Sequence, residues 1–153
     1  MSNGKRVLLI ISGGISAYKS LELIRELKIR DINVRCILTA AGGQFVTPLS
    51  VEALTGEKVY QDLFSLTNMS EMGHIELSRD ASLIVVAPAT ANIIAKMRAG
   101  IADDLATTAL IATDKLVLIA PSMNVRMWEH ASTQSNMIEL RKRGIYIIGP
   151  EIG

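Results

Sequence analysis

Short, wholly apolar runs recur along this chain, and glycine, proline or small polar residues follow each of them. Runs of about five apolar residues are long enough for a strand that is buried on both faces, and too short for a helix. Segments with helical spacing separate them, so strands and helices alternate, which predicts a doubly wound parallel sheet. The predicted strands are 7–11, 34–38, 59–60, 83–87, 116–120 and 146–148, which makes six.

Composition and charge narrow the functional classes. The 153 residues are enough for one domain with a real core, and we treat 1–153 as a single domain. The formal net charge is +1, with no basic stripe, so we expect no nucleic-acid partner. Cys36 is the single cysteine, and no apolar stretch approaches the length of a membrane span. With no signal-peptide pattern at the N-terminus, these features predict a soluble, cytoplasmic protein that does not bind membranes.

Glycine follows the first predicted strand and a hydroxyl ends the second. The turn Ser12-Gly13-Gly14 between a strand and a helix can bring backbone N–H groups to a phosphate. The alternative is a tight turn that needs positive φ, and the dinucleotide and P-loop spacings are both absent. Thr39 can either cap the next helix or contact a phosphate. For the turn 12–14 and for Thr39, a structural role and contact with a phosphate both stay open.

Two further side chains are candidates for chemistry. Asn124 follows the predicted strand 116–120, at the edge of the sheet where ligands bind in open α/β folds. Its amide could recognise a carboxylate, although a helix cap is the commoner use of asparagine. His74 has a side chain whose ordinary pKa suits proton transfer near neutrality, but most histidines are structural.

Three segments together carry more information than any one of them. Residues 12–19, 87–92 and 121–128, the last reading Pro-x-Met-Asn-x-x-Met-Trp, resemble the homo-oligomeric flavin-containing cysteine decarboxylases. Within that family the similarity is greatest to the bacterial phosphopantothenoylcysteine decarboxylases, and residues 73–77 match the segment with the family's active-site histidine. The resemblance covers essentially the whole chain. It implies a three-layer, Rossmann-like flavoprotein fold with a six-stranded parallel sheet.

The resemblance also implies partners and residue roles. The cofactor is FMN, no metal is needed, and the assembly is a homotrimer or a multiple of one. His74 is the catalytic base, while Asn124 and a backbone N–H near Met127 hold the substrate carboxylate. The residues implied in cofactor binding are Ser12, Gly13, Gly14, Ile15, Thr39, Thr90, Ala91, Asn92 and Met123.

The implied reaction converts 4′-phospho-N-pantothenoylcysteine into 4′-phosphopantetheine during coenzyme A biosynthesis. A cysteine carboxylate does not simply lose CO2, because the carbanion left behind has no electron sink. Oxidation of the thiol to a thioaldehyde supplies that sink, and the flavin afterwards returns a hydride. In many bacteria the domain is fused to phosphopantothenate–cysteine ligase.

Two departures from the family pattern keep other interpretations open. Ile93 replaces a threonine of the second motif. The sequence ends at Gly153, so we expect it to stop before the family's substrate flap. That flap carries a cysteine, and Cys36 cannot take its place. Whether this chain completes the full catalytic cycle is therefore an open question. The alternatives are a flavin prenyltransferase, a peptidyl-cysteine decarboxylase or an inactive FMN-binding regulatory subunit. The apolar helices predicted between 93 and 112 favour a subunit interface.

Overall fold

A computed structural model describes residues 4–61 and 77–150 of the chain. In these residues, five parallel strands form one sheet in the order β2-β1-β3-β4-β5. Their bounds are β1 (Arg6–Ile11), β2 (Asn33–Leu38), β3 (Leu83–Ala89), β4 (Val117–Pro121) and β5 (Tyr146–Ile147). The predicted α/β fold with a parallel sheet is confirmed. His74 lies outside the described residues.

The prediction of a sixth strand at residues 59–60 is wrong for the described residues. Residues 59–60 do not form a strand, and Tyr60 instead makes an isolated parallel bridge with Ile37. The Tyr60 N–H donates to the carbonyl oxygen of Cys36 at 3.0 Å, and its carbonyl accepts from Leu38 at 2.8 Å. The segment 59–60 is therefore joined to the edge strand β2 at a single residue, and the sheet of the described residues has five strands.

Helices connect the strands. A short 3₁₀ helix, Gly42–Gln44, precedes the second α-helix. The α-helices are α1 (Ala17–Ile29), α2 (Pro48–Thr55), α3 (Ala91–Ala99), α4 (Leu105–Ala112), α5 (Val125–Glu129) and α6 (Ala131–Lys142).

Strand β1 supplies side chains to both apolar layers. Leu8 and Ile10 belong to one core cluster, whereas Leu9 and Ile11 belong to the other, as the two-residue period of a strand requires. Helices α3, α4 and α6 contribute to the first cluster, and α1 and α2 contribute to the second. The sheet is therefore covered by helices on both faces, which is the predicted three-layer arrangement.

Local details differ from the sequence predictions at two places. Strand β3 does not stop before Pro88 but continues to Ala89, with a shift of register between Val86 and Ala89. Proline has no N–H to donate, so the ladder is interrupted there without ending. Helix α6 is capped by His130, whose Nδ1 accepts from the Ser132 N–H at 3.0 Å.

Most of the apolar surface on α3 and α4 is buried by the chain itself. Ile94, Leu105 and Ala109 are almost fully buried in the first core cluster. Ile101 and Ile111 stay 43% and 48% exposed. The surface left for another subunit is therefore smaller than the apolar composition of these helices predicted.

Cys36 lies on β2 with 1% of its surface exposed. Burial, with a smaller contribution from the charge of Glu57, raises the pKa of its thiol to about 12. The thiol therefore stays protonated at neutral pH, and a buried protonated thiol is a poor nucleophile. This agrees with the prediction that Cys36 does not take the place of a catalytic cysteine.

In the described parts of the chain, none of the helices combines the length and the apolar character needed to cross a membrane. In the same residues, no three or more His, Cys, Asp or Glu side chains are grouped so that they could hold a metal ion.

Candidate functional site

The order of the strands creates a crevice between β1 and β3. Strand β2 lies next to β1 on one side, and β3, β4 and β5 follow in order on the other side of β1. Where the direction of winding reverses in this way, the loops beyond the carboxyl ends of the two strands diverge, and ligands of open α/β sheets bind there.

One hydroxyl joins the ends of these two strands. The Ser12 Oγ donates to the Pro88 carbonyl oxygen at 2.5 Å and accepts from the Thr90 N–H at 3.2 Å. Ser12 is only 3% exposed. Its hydrogen is already used inside the chain, so this side chain holds the two loops together and has only acceptor capacity left.

The crevice contains a cavity of about 200 Å³. Five of the predicted cofactor residues line it: Ser12, Gly13, Thr39, Thr90 and Asn92. They come from the ends of β1, β2 and β3 and from the first turn of α3. The structure thus brings together residues that are up to 80 positions apart in the sequence.

Glycine is required at position 13 because two loops approach each other there. A Cβ atom on Gly13 would lie 2.7 Å from the Cβ and 3.2 Å from the carbonyl carbon of Ala41. Gly14 has φ of +123°, a conformation that side chains strongly disfavour. The interpretation as a tight turn with positive φ is therefore confirmed. Gly13 also lines the cavity, and phosphate contact by this turn stays a prediction.

Two threonines, Thr39 and Thr90, are among the residues that line this cavity. The Thr39 Oγ1 accepts from the Gly42 N–H at 3.0 Å, and the Thr90 Oγ1 accepts from the Ile93 N–H at 3.2 Å. Among the described residues, neither hydroxyl hydrogen has an acceptor. Thr90 is the N-cap of α3, as the simpler interpretation expected, whereas Thr39 closes a turn just before the 3₁₀ helix, whose N-cap is Ala41. Each hydroxyl still has a hydrogen to donate.

Asn124 follows β4, the next strand of the sheet. It caps α5, because its Oδ1 accepts from the Met127 N–H at 2.9 Å. The capping interpretation is thus satisfied, and the Met127 N–H is already bonded within the chain. With the oxygen fixed in this way, the exposed Nδ2 remains as a donor of two hydrogen bonds.

The remaining predicted residues lie around this central part of the site. Ala91 and Met127 line a second, open cavity of about 320 Å³, together with Arg126, His130 and Thr133. Met123 packs against the first core cluster, whereas Ile15 is 80% exposed. The side chain of Ile15 is therefore largely in solvent in this chain.

Sequence reasoning missed three polar residues that line the central cavity: Lys96, Asp104 and Thr107. Lys96 is four positions after Asn92 on α3, so the two share one face of that helix. Once Thr90 is recognised as the cap of α3, this spacing is readable from the sequence. Asp104 and Thr107 form a capping box at the start of α4, which the sequence also indicates.

The profile of the family described as Flavoprotein matches residues 1–153. The chain belongs to the Flavoprotein family. The match extends over the whole sequence, so it includes both the Ser-Gly-Gly turn and the Asn124 loop of this Flavoprotein domain.

A curated relative of this Flavoprotein chain is the coenzyme A biosynthesis bifunctional protein CoaBC of Vibrio vulnificus. The two are 46% identical over 150 residues, which are 98% of this chain and 37% of the relative. The chain therefore spans less than two fifths of the length of the protein that it matches.

Solved structures also resemble the Flavoprotein fold seen here. The FMN-dependent cysteine decarboxylase SpaF has a TM-score of 0.90 at 31% identity, covering 97% of this chain and 86% of SpaF. A mutant PPC decarboxylase, complexed with pantothenoylaminoethenethiol, has a TM-score of 0.82 at 30% identity, covering 96% of this chain and 82% of that one.

The dual use of Asn124 leads to a prediction about its two functional groups. Asn124→Asp keeps an oxygen that can accept from Met127, whereas Asn124→Ala removes it. For a cap worth about 1 kcal/mol, the Met127 amide of the alanine variant should exchange its hydrogen about fivefold faster, while the aspartate variant stays protected. Hydrogen-exchange mass spectrometry of the peptide spanning α5 measures this. Equal protection in the asparagine and alanine forms would contradict the capping role.

Proposed function

We propose that this chain is the decarboxylase domain that converts 4′-phospho-N-pantothenoylcysteine into 4′-phosphopantetheine, with FMN as its cofactor. The observation that carries this proposal is the crevice between β1 and β3. Gly13 and the side chains of Thr39 and Thr90 line it, and the Asn124 amide follows the adjacent strand β4. The 46% identity to a coenzyme A biosynthesis protein supports this substrate.

The central cavity fits the phosphate-bearing end of FMN. Gly13 contributes backbone to the wall of the cavity, and its missing side chain lets Ala41 of the neighbouring loop pack directly against it. Thr39, Thr90 and Asn92 offer neutral donors around the same space. When bound, FMN would accept the electrons of thiol oxidation and return them after CO2 has left.

Asn124 would hold the substrate carboxylate. Its Nδ2 is a donor, its Oδ1 is fixed by the Met127 N–H, and its position after β4 places it at the same sheet edge as the cavity. Holding a reactive group in one orientation supplies roughly 7–11 kcal/mol of a barrier in favourable cases. His74, which lies outside the described residues, is proposed as the base that removes the proton during thiol oxidation.

The proposed cofactor gives the first prediction about function. The purified protein should be yellow. After the FMN has been removed, added FMN should bind to the apoprotein again, and its fluorescence should be quenched on binding. Gly13→Ala should abolish rebinding, because its Cβ would collide with Ala41 and displace the loop. Gly43→Ala is the matched control, since its Cβ would meet only the Leu38 side chain at 4.0 Å. A wild-type protein that fails to bind FMN would refute the proposal.

The second prediction concerns the substrate. With FMN present, the chain should release CO2 from phosphopantothenoylcysteine, and mass spectrometry should detect the decarboxylated product. Asn124→Asp should remove this activity, because two negative charges about 4 Å apart repel by roughly 4 kcal/mol at an effective dielectric of 20. His74→Asn should do the same by removing the base.

Alternative substrates separate the related activities. A peptide that ends in cysteine tests for a peptidyl-cysteine decarboxylase, and dimethylallyl phosphate tests for a flavin prenyltransferase. Turnover of either one without turnover of phosphopantothenoylcysteine would overturn the proposed substrate. FMN binding without any reaction would indicate a regulatory subunit.

We also propose that the domain works as a homotrimer or a multiple of one, in the cytoplasm, and fused to phosphopantothenate–cysteine ligase in the longer protein. The relative of which it covers 37% is named as bifunctional, which supports the fusion. The single, buried Cys36 is compatible with a reducing compartment.

Substitutions at two exposed isoleucines, Ile101 just before α4 and Ile111 within it, can test the proposed trimer. Light scattering at micromolar concentration should report three chains or a multiple of three. Replacing both Ile101 and Ile111 by lysine should dissociate the particle, because charges would replace half-exposed apolar surface in the contact. Ile138→Lys is the control, since Ile138 on α6 is 54% exposed and lies outside the proposed contact. A stable wild-type monomer would refute the trimer.

A further inference from the structure

Lys96 is a charged side chain in the central cavity that the proposed function has not yet used. It lies in the last turn of α3, four residues after Asn92, and both residues line the cavity with Gly13 and Thr39. Among the described residues that line this cavity, Lys96 is the one cationic side chain. Its side chain is 24% exposed, so it is largely enclosed.

The neutral donors that line the cavity can hydrogen-bond a phosphate, but none of them carries a full positive charge. Flavin and ribityl groups are uncharged, and the phosphate carries the negative charge of FMN. An opposite charge strengthens the hydrogen bonds to an enclosed anion. Lysine is a point charge that commonly binds phosphate.

We infer that Lys96 pairs with the phosphate of FMN and thereby makes the site prefer FMN to uncharged riboflavin. This inference rests on the proposed FMN-dependent function. It adds a specificity-determining residue that neither the Ser-Gly-Gly turn nor the Pro-x-Met-Asn-x-x-Met-Trp motif contains.

Asp103 competes for the same cation. Its carboxylate lies 3.0 Å from the Lys96 Nζ and is 53% exposed, on the solvent side of the pair. The hydrogen bond from Lys96, with its positive charge, lowers the pKa of Asp103, which favours the ionised carboxylate. FMN must share Lys96 with Asp103 or displace it, so removing the Asp103 charge should favour the phosphate.

Asp104 also lines the cavity, but its carboxylate is engaged elsewhere. It accepts from the Thr107 N–H at 2.8 Å and from the Thr107 hydroxyl at 2.6 Å. Negative charge is favourable at the start of α4, where these bonds hold it. Asp103 is therefore the acidic residue that acts on Lys96.

The experiment measures the affinities of FMN and riboflavin for the apoprotein by fluorescence quenching. Lys96→Gln should weaken FMN binding by about ten- to a hundredfold, the usual effect of losing a charged hydrogen bond, and should leave riboflavin binding unchanged. Asp103→Asn should strengthen FMN binding alone. Lys96→Arg should retain the preference for FMN. Lys142→Gln is the matched control, because Lys142 occupies the last turn of α6, away from the cavity.

The outcomes separate this inference from the proposed function. Equal weakening of FMN and riboflavin by Lys96→Gln would overturn the phosphate pairing and show a structural role, while leaving FMN as the cofactor. An unchanged FMN affinity would overturn it as well. A wild-type protein that binds neither flavin would overturn the proposed function and this inference together.

Discussion

The bond network around the Ser12 hydroxyl fixes the crevice on which the rest of the site depends. It joins the loop after β1 to the carbonyl of Pro88 and the N–H of Thr90, at the point where the winding of the sheet reverses. Without it, the two loops that diverge there would lose their direct link. The buried serine therefore sets the distance between the Ser-Gly-Gly turn and the first turn of α3.

Three side chains at the site repeat one arrangement. Thr39, Thr90 and Asn124 each follow a different strand, and each accepts the backbone N–H three residues later. The acceptor is thus consumed in stabilising a turn or a helix start, and the hydrogen atoms that remain point away from it. Capping and ligand binding are therefore not alternatives at these positions, because the cap orients the donor.

The sequence predicts the parts of this molecule that local pattern determines. Apolar runs predict the central strands closely, since each run depends on a few neighbouring residues. The predictions failed where tertiary packing decides, as at residues 59–60, which make only an isolated bridge, and at Pro88 inside β3. Lys96 was missed because its place in the cavity depends on where α3 begins. The role proposed for His74 comes from the resemblance to a family, because no spacing in the sequence indicates it.

The charges around the site are consistent with the chemistry proposed for it. A phosphate stays charged throughout the reaction, so a cation such as Lys96 can bind it without opposing any step. A carboxylate that leaves as CO2 loses its negative charge, and a cation held against it would stabilise the ground state more than the transition state. A neutral amide orients the carboxylate and stabilises its charge less strongly. Asn124, with its oxygen fixed by Met127 and its two hydrogens free to donate, meets that requirement better than lysine or arginine would.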